Sequence, residues 1–271
     1  MAKNILIDLS KCIGCFDCFV ACRDEHCGND WTPIAAPQPD SGQFWVNVQE
    51  IERGSGDKLK VSRIVTPCMH CDNPPCVKAA TNGGVYKRSD GIVIIDPEKS
   101  IGQQQIIASC PYGVIYWNSA QNIPQKCTMC AHLLDAGWTE PRCVNACPTG
   151  TLQYGEYSAL QATITSGGYS AFHPEYGTQP RVLYINLPKT FIAGSVLDNT
   201  TKQSIKGATI TLTNTSTNAT LTATSNIFGD FWFDGLDAKT TFKVTVAYTG
   251  KTSQSITVTT NTDQNLGDIA L

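Results

Sequence analysis

The chain has 271 residues, 20 Lys and Arg against 23 Asp and Glu, and a formal net charge of -3. That length allows two domains with separate cores, and a weakly acidic chain without a basic stripe excludes nucleic acid and anionic membrane as natural partners. No apolar run approaches the roughly 18 residues of a spanning helix, so no membrane anchor is expected; Met1-Ala2-Lys3 leads straight into Ile5-Leu6-Ile7, which leaves no room for a signal peptide and sets a cytoplasmic location as the expectation.

The first element is a strand expected over Ile5 to Leu9, and it runs into Cys12-Ile13-Gly14-Cys15-Phe16-Asp17-Cys18, with Cys22 four residues on. The spacing Cys-x2-Cys-x2-Cys-x3-Cys is that of a bacterial ferredoxin run, in which the fourth Cys binds a different cluster from the first three. A short helix over Phe16 to His26 then carries Cys18 and Cys22 on one side. Gly14 suits a close approach of backbone to cluster. The run needs a second one to complete it, and Cys127, Cys130, Cys143 and Cys147-Pro148 supply it with a longer gap. Cross-ligation then assigns Cys12, Cys15, Cys18 and Cys147 to one cluster and Cys22, Cys127, Cys130 and Cys143 to another.

Residues 31–66 hold no Cys. A stretch broken by Pro33, Pro37 and Pro39 is followed by two strand-like runs, Phe44 to Glu52 and Leu59 to Thr66, joined by a hairpin loop over Arg53 to Asp57. The segment reads as a β insertion between two cluster-binding units. The second unit opens with Cys68, Cys71 and Cys76, where a fourth Cys would fall at position 80, which is Ala. After a strand over Ile92 to Ile95, the segment from Ser100 to Cys110-Pro111 has the length of a ferredoxin run, but its first three ligand positions are Ser100, Gln103 and Ile106. Cross-ligation gives Cys68, Cys71, Cys76 and Cys110 one complete site, and removes every ligand of its partner. Three 4Fe-4S clusters are therefore expected, each lowering the charge by about two, so that the loaded chain carries roughly -9.

All thirteen Cys fall within residues 12–147, and their tight pairs are metal-ligand spacings, not a secreted disulfide framework. Structural zinc also uses Cys-x2-Cys pairs, but has no use for the third Cys of Cys12-Cys15-Cys18. Cys27 is left over and reads as an inert packed thiol. His26, His70 and His132 read as side chains packed beside clusters. No Ser/His/Asp or paired-carboxylate arrangement stands out, so the chain offers no catalytic centre of its own.

From Thr151 to Pro188 a helix is expected at Tyr157 to Ile164, broken by Gly167-Gly168, then a strand at Arg181 to Leu187, the whole wrapping back over the ferredoxin core. Beyond it, 20 of the 84 residues from Pro188 to Leu271 are Thr. Alternating apolar pairs recur there at Ile210 and Leu212, at Phe231 and Phe233, through Phe242, Val244 and Val246, and at Ile256 and Val258. Period-two alternation between Gly, Asn and Asp turns predicts a seven-stranded β-sandwich.

The order of the four Cys groups over residues 3–187 resembles the iron-sulfur electron-transfer subunits of the dimethyl-sulfoxide-reductase family of molybdopterin enzymes. The matching stretches are Cys12 to Cys22, His70-Cys71-Asp72-Asn73-Pro74-Pro75-Cys76, Cys110-Pro111-Tyr112-Gly113, and Lys126-Cys127-Thr128-Met129-Cys130 through Cys147-Pro148-Thr149-Gly150. The resemblance implies a large molybdopterin catalytic subunit as partner, with the pterin in that subunit alone, and a relay of four clusters, from which this chain departs by one. The C-terminal part, with Ile192 to Asp198 and Gly207 to Leu212, is similar to collagen-adhesin B-type and carboxypeptidase-regulatory modules.

The expected fold is α+β, with bacterial-ferredoxin-like double cluster-binding units and a β insertion, then an all-β seven-stranded sandwich or barrel. The iron-sulfur domain spans residues 1–188, built from cluster units 1–30 with 117–155 and 67–116, the insertion 31–66 and the wrap-back segment 151–188; the sandwich spans 189–271. Two rival readings stay open at this point: a freely diffusing polyferredoxin, and a binding module carried by a cluster protein.

Overall fold

The computed structural model describes residues 2–271. They divide into two units: one runs up to Glu50 and resumes over Arg63–Leu187, the other joins Ile51–Ser62 to Pro188–Leu271.

In chain order the first part of the molecule forms β1 (Lys3–Asp8), helix α1 (Asp17–His26), the hairpin β2 (Val46–Ser55) and β3 (Lys58–Pro67), α2 (Pro75–Ala79), and the paired strands β4 (Val85–Lys87) and β5 (Val93–Ile95). Then come α3 (Gln105–Ala108), the pair β6 (Tyr116–Asn118) and β7 (Ile123–Gln125), α4 (Ala131–Asp135), α5 (Arg142–Asn145), β8 (Leu152–Glu156), α6 (Tyr157–Gly167), β9 (Ser170–Ala171) and β10 (Val182–Ile185).

A four-stranded sheet of order β8-β1-β10-β9 anchors the first unit, with β1 antiparallel to β8 and parallel to β10. Ile5, Leu6 and Ile7 are buried in succession, because β1 is central and covered on both faces. Trp45, Val46, Val65, Met69, Ile92, Ile94 and Tyr184 complete the core around the thiols. Helix α1 follows Phe16, whose φ of 63° turns the chain sharply after Cys15, and its last turn carries Arg23, whose positive charge suits a helix C-terminus. Helix α6 runs three residues beyond the expected Ile164 and stops at Gly168, which adopts the left-handed conformation that closes a helix.

The insertion hairpin is tighter than expected. Its strands continue through the Arg53 to Asp57 stretch and turn at Gly56-Asp57. Gly54 has a φ of +100°, and a Cβ there would stand 2.1 Å from the Lys58 carbonyl, so the narrow hairpin requires glycine. The preceding Pro-broken stretch is held by a buried polar chain. Trp45 Nε1 donates to Gln43 Oε1 at 2.7 Å, Gln43 Nε2 to Gln125 Oε1 at 3.0 Å, and Gln125 Nε2 to the carbonyl of Ala36 at 2.9 Å.

The second unit contains β11 (Thr190–Leu197), β12 (Thr209–Asn214), β13 (Thr220–Thr224), β14 (Asp230–Leu236), β15 (Thr241–Ala247), β16 (Gln254–Thr259) and β17 (Gln264–Ala270). They form one sheet of order β14-β11-β17 and another of order β13-β12-β15-β16. Ile192, Val196, Ile210, Leu212, Phe231, Phe233, Phe242, Val244 and Val246 make the core between them. The composition boundary at Pro188 misses one part of this unit, the hairpin tip Ile51–Ser62. The tip belongs here because its charges are satisfied here. Arg53 forks onto Asp263 with contacts of 2.9 and 2.6 Å, and buried Lys58 pairs with Asp230 at 2.8 Å. Lys60 lies over Phe191 and Trp232, so β11 is covered on its outer side as well, and alternation fails along it.

Candidate metal centres

Cys12, Cys15, Cys18 and Cys147 line one cavity with Gly14, Phe16, Val48 and Val65, around an atom-free space of about 300 Å³. Burial pushes the Cys18 thiol up to about 12, and the neighbouring Cys147, Cys12 and Cys15 add to it. Cys147 is also partly buried, which works to raise it, yet it is held below the ordinary thiol value because the N–H groups of Leu152, Thr149 and Thr151 and the Thr149 hydroxyl donate to its sulfur. Gly14, with φ +72°, lies under the Arg63 side chain, whose Nε would stand 2.1 Å from any Cβ there. The left-handed backbone at this position favours glycine, and a larger residue would also displace the Arg63 side chain.

The second group brings Cys22 to Cys127 and Cys130, and Cys143 to Cys130, Cys127 and Cys22; burial drives both thiols well above their ordinary value. Cys18 and Cys22 stand one turn apart on α1, and α5 with the turn after it carries Cys143 and Cys147 at the same spacing. Each of the two elements therefore serves both groups, which is the physical content of cross-ligation.

The third group, Cys68, Cys71, Cys76 and Cys110, lines a cavity with about 340 Å³ of atom-free space, together with Pro74, Pro75, Pro111, Tyr112 and Lys126. Burial pushes Cys71 up to about 12 and Cys76 up to about 11; Cys68 and Cys110 add to both, and Lys126 works against the rise at Cys76. Cys127 of the second group accepts N–H donation from Cys68, so the second and third groups adjoin.

The loops share one backbone device. Phe16, His70, Met129 and Cys130 all have positive φ, from 43° to 63°, and that turns main-chain N–H groups inward. The His70 N–H reaches Cys68 Sγ at 3.5 Å and the Met129 N–H reaches Cys127 Sγ at 3.4 Å. Such donors favour thiolate ligands and tune a cluster's potential.

The four positions that lack their thiols also come together. Ile106 is fully buried against Val85, Val93, Ile95 and Ile115, with Ala80 at the edge of the same cluster. Gln103 accepts from the Thr81 N–H at 2.8 Å and donates to the carbonyls of Thr81 and Lys99 at 3.1 and 2.7 Å. Ser100 is buried beside them with its hydroxyl unpartnered. Packing and amide hydrogen bonds occupy this ground.

Cys27 lies outside all three groups, half-buried, with its sulfur 3.2 Å from Asp40 Oδ1. His26 Nε2 is 3.7 Å from Cys130 Sγ, and its ring packs on Trp45; burial and the nearby His132 lower its pKa to about 3, so a neutral imidazole lies against that sulfur. His132 stacks on Trp31 and meets Glu25 at 3.0 Å, and His70 Nδ1 accepts the Val93 N–H at 3.1 Å. Cysteine spacing does not single out Lys126, yet it belongs to the site. Its side chain is buried, its ammonium donates to the Val93 carbonyl and to the Cys127 carbonyl at 3.1 Å, and it lines the third cavity beside Cys68.

These observations test the fit of iron-sulfur clusters. Among the described residues no three His, Cys, Asp or Glu side chains converge at single-ion distance, whereas zinc draws its sulfurs to about 2.3 Å from one point. Wide cages of four thiols, with N–H donors aimed at the sulfurs, suit a cluster whose irons hold the sulfurs apart. A buried ammonium facing the third cage calls for an anion there, because an uncompensated buried charge costs several kcal/mol. A loaded cluster is such an anion. The residues present fit the group.

Comparison with known proteins agrees. The 4Fe-4S dicluster domain family matches residues 60–157, and the carboxypeptidase regulatory-like domain family matches residues 191–271. One subunit of the tetrathionate reductase of Salmonella typhimurium is 32% identical over 69% of this chain and 74% of its own length. One subunit of the sulfite dehydrogenase of Allochromatium vinosum is 32% identical over 69% of this chain and 83% of its own. The chain belongs to the iron-sulfur electron-transfer subunits of the dimethyl-sulfoxide-reductase family of molybdopterin enzymes. Within that family the likeness extends across both units to the pyrogallol hydroxytransferase small subunit of Pelobacter acidigallici, 38% identical over 98% of each chain.

Proposed function

We propose that this chain carries three 4Fe-4S clusters and serves a large molybdopterin subunit that moves hydroxyl groups between polyhydroxybenzenes. Cys12, Cys15, Cys18 and Cys147 hold the first cluster, Cys22, Cys127, Cys130 and Cys143 the second, and Cys68, Cys71, Cys76 and Cys110 the third. The observation that carries the reading is the closure of the thiols into three groups of four, with Cys27 apart. Each cluster, when bound, takes up and releases one electron.

The chain's residues set the order. The first and second groups share α1 and the α5 turn, and the second and third meet at Cys68 and Cys127. Past the third, Gln103 and Ile106 close the way, so the relay ends there. The first group is open to the surface: Cys15 is exposed, and so are Ile13, Phe16 and Val20 around it. A large subunit docked on this apolar collar excludes water from the first cluster. Hydroxyl transfer between aromatic rings has no net electron demand, so a relay with one outward end is sufficient for it. Among the described residues no helix is long and apolar enough to cross a membrane.

The test is purification of the tagged chain, without oxygen, from the cells that make it. The reading requires a co-purifying large subunit that contains a pterin and converts pyrogallol to phloroglucinol. Recovery of the cluster-loaded chain alone, exchanging electrons freely with soluble redox proteins, would establish the diffusing polyferredoxin instead.

A further inference from the structure

We propose that Lys126 raises the reduction potential of the third cluster selectively, by holding an uncancelled positive charge against it. This rests on the three-cluster reading above and on the placement of one side chain. Lys126 is 2% exposed. Other cations near the thiols are paired with carboxylates or reach solvent: Arg181 and Lys87 pair with Asp72 and Arg142 with Glu25, while Lys78 is exposed and donates to Asn73, and Arg23 is half-buried and donates to the carbonyls of Asp40 and Gln43. Lys126 differs. Its ammonium donates to the Val93 and Cys127 carbonyls and lines the third cavity with Cys68 and Cys76, and among the described residues no carboxylate pairs with it.

The position is fixed from both sides. Val93 gives its carbonyl to Lys126 and its N–H to His70 Nδ1, so one residue of β5 is clamped between two side chains that flank the third group. The ammonium lines the third cavity, and acts electrostatically on Cys68 and Cys76 of that group and on Cys127 of the second. Lys126 does not line the first cavity.

Reduction adds one electron to the cluster, delivered from the second cluster or from a chemical reductant such as dithionite, while Lys126 keeps its proton. The cluster and its ligands go from a charge of about -2 to about -3. A fixed cation in a low-dielectric site favours the more negative state, so the third cluster becomes easier to reduce. The second feels the same charge through one ligand, and the first does not. Electrons arriving at the first group would therefore collect at the closed end of the relay.

The experiment is a redox titration of the intact complex followed by electron paramagnetic resonance, with the third cluster's signal assigned as the one lost in Cys110→Ser. Iron content is measured on every sample. In Lys126→Met the ratio of reduced to oxidised third cluster at a fixed potential should fall at least tenfold, which is about 59 mV for one electron. The second cluster should shift less, the first not at all, and Lys126→Arg should retain the unaltered protein's values. A fully loaded Lys126→Met complex with an unshifted third cluster, or with all three shifted equally, would overturn the proposal. Should Lys126→Met lose the cluster, the unaltered complex labelled with 15N at lysine Nζ decides: hyperfine coupling of one such nitrogen to the reduced third cluster supports the contact, and its absence refutes it. Failure of the three-cluster reading looks different, because the unaltered complex would itself lack the third cluster's iron.

Discussion

Restoring the four absent thiols together, as Ala80→Cys, Ser100→Cys, Gln103→Cys and Ile106→Cys, should open a fourth cluster site. The cost can be worked from the packing. Ile106 is fully buried, and cutting it back to Cys costs about 1–3 kcal/mol in lost burial and cavity formation. Gln103→Cys strips the Thr81 N–H of its acceptor, for about another 1–3 kcal/mol. Ser100→Cys is close to neutral, because its hydroxyl has no partner to lose. The metal-free variant should thus be about 2–6 kcal/mol less stable than its parent, a large part of a normal domain's margin. With iron and sulfide supplied, the loaded variant should hold about four more irons and four more labile sulfides, and Gln103→Cys alone should lose stability without gaining iron. The assay is paired iron and sulfide determination with spin counting, on anaerobically reconstituted protein. A quadruple variant that keeps its original clusters and gains no iron would refute the pairing of position 80 with positions 100, 103 and 106.

Three further outcomes are expected. Cys110→Ser should remove the third cluster alone and leave roughly 8 iron atoms; loss of all iron would mean that the groups do not load independently. Arg53→Ala should destabilise the second unit by about 1.5–3 kcal/mol in urea unfolding, because it breaks a forked charge-assisted contact with Asp263 whose side chains are only 16% and 10% exposed; an effect near zero would mean that the hairpin tip contributes nothing to that unit. Asp198 is held at about 2 by hydrogen bonds from the Lys251 ammonium and from the Thr201 and Thr200 N–H groups. A carboxylate so depressed stabilises the fold above its unfolded value near 4, and that contribution is lost as pH falls from about 4 to about 2. Hydrogen exchange in β11 and β12 should show less acid sensitivity over that window in Asp198→Asn than in the unaltered chain, and equal sensitivity would exclude Asp198 as a contributor.

Much of the site is legible in the sequence because cluster ligation ties chemistry to spacing. Cys18 and Cys22 can serve neighbouring cages only if one helical turn separates them, and the helix Asp17–His26 provides it. The absent fourth group is legible for the same reason, since the positions fall at ligand intervals even where the residues are Ser100, Gln103 and Ile106. Lys126 is not legible in this way. A lysine beside Cys127 reads as a solvated side chain until β5 is folded against it and Val93 supplies the carbonyl. The hairpin tip escapes too, because nothing local in Arg53 or Lys58 says that Asp263 and Asp230, more than 170 residues away, are their partners. The chain Trp45-Gln43-Gln125 is likewise non-local: two polar amides in unremarkable stretches become core residues only when β7 meets the Pro-broken loop. Spacing encodes ligand sets, while buried polar pairs are encoded by topology.

The most direct test of the central claim is an anaerobic native mass spectrum of the protein purified from the cells that make it. One mass reports the cluster complement and the partner together. The expected species is this 29.3 kDa chain with roughly 12 iron atoms, bound to a large subunit that contains a pterin. A chain carrying roughly 8 iron atoms, or a loaded chain that never appears with such a subunit, would contradict it.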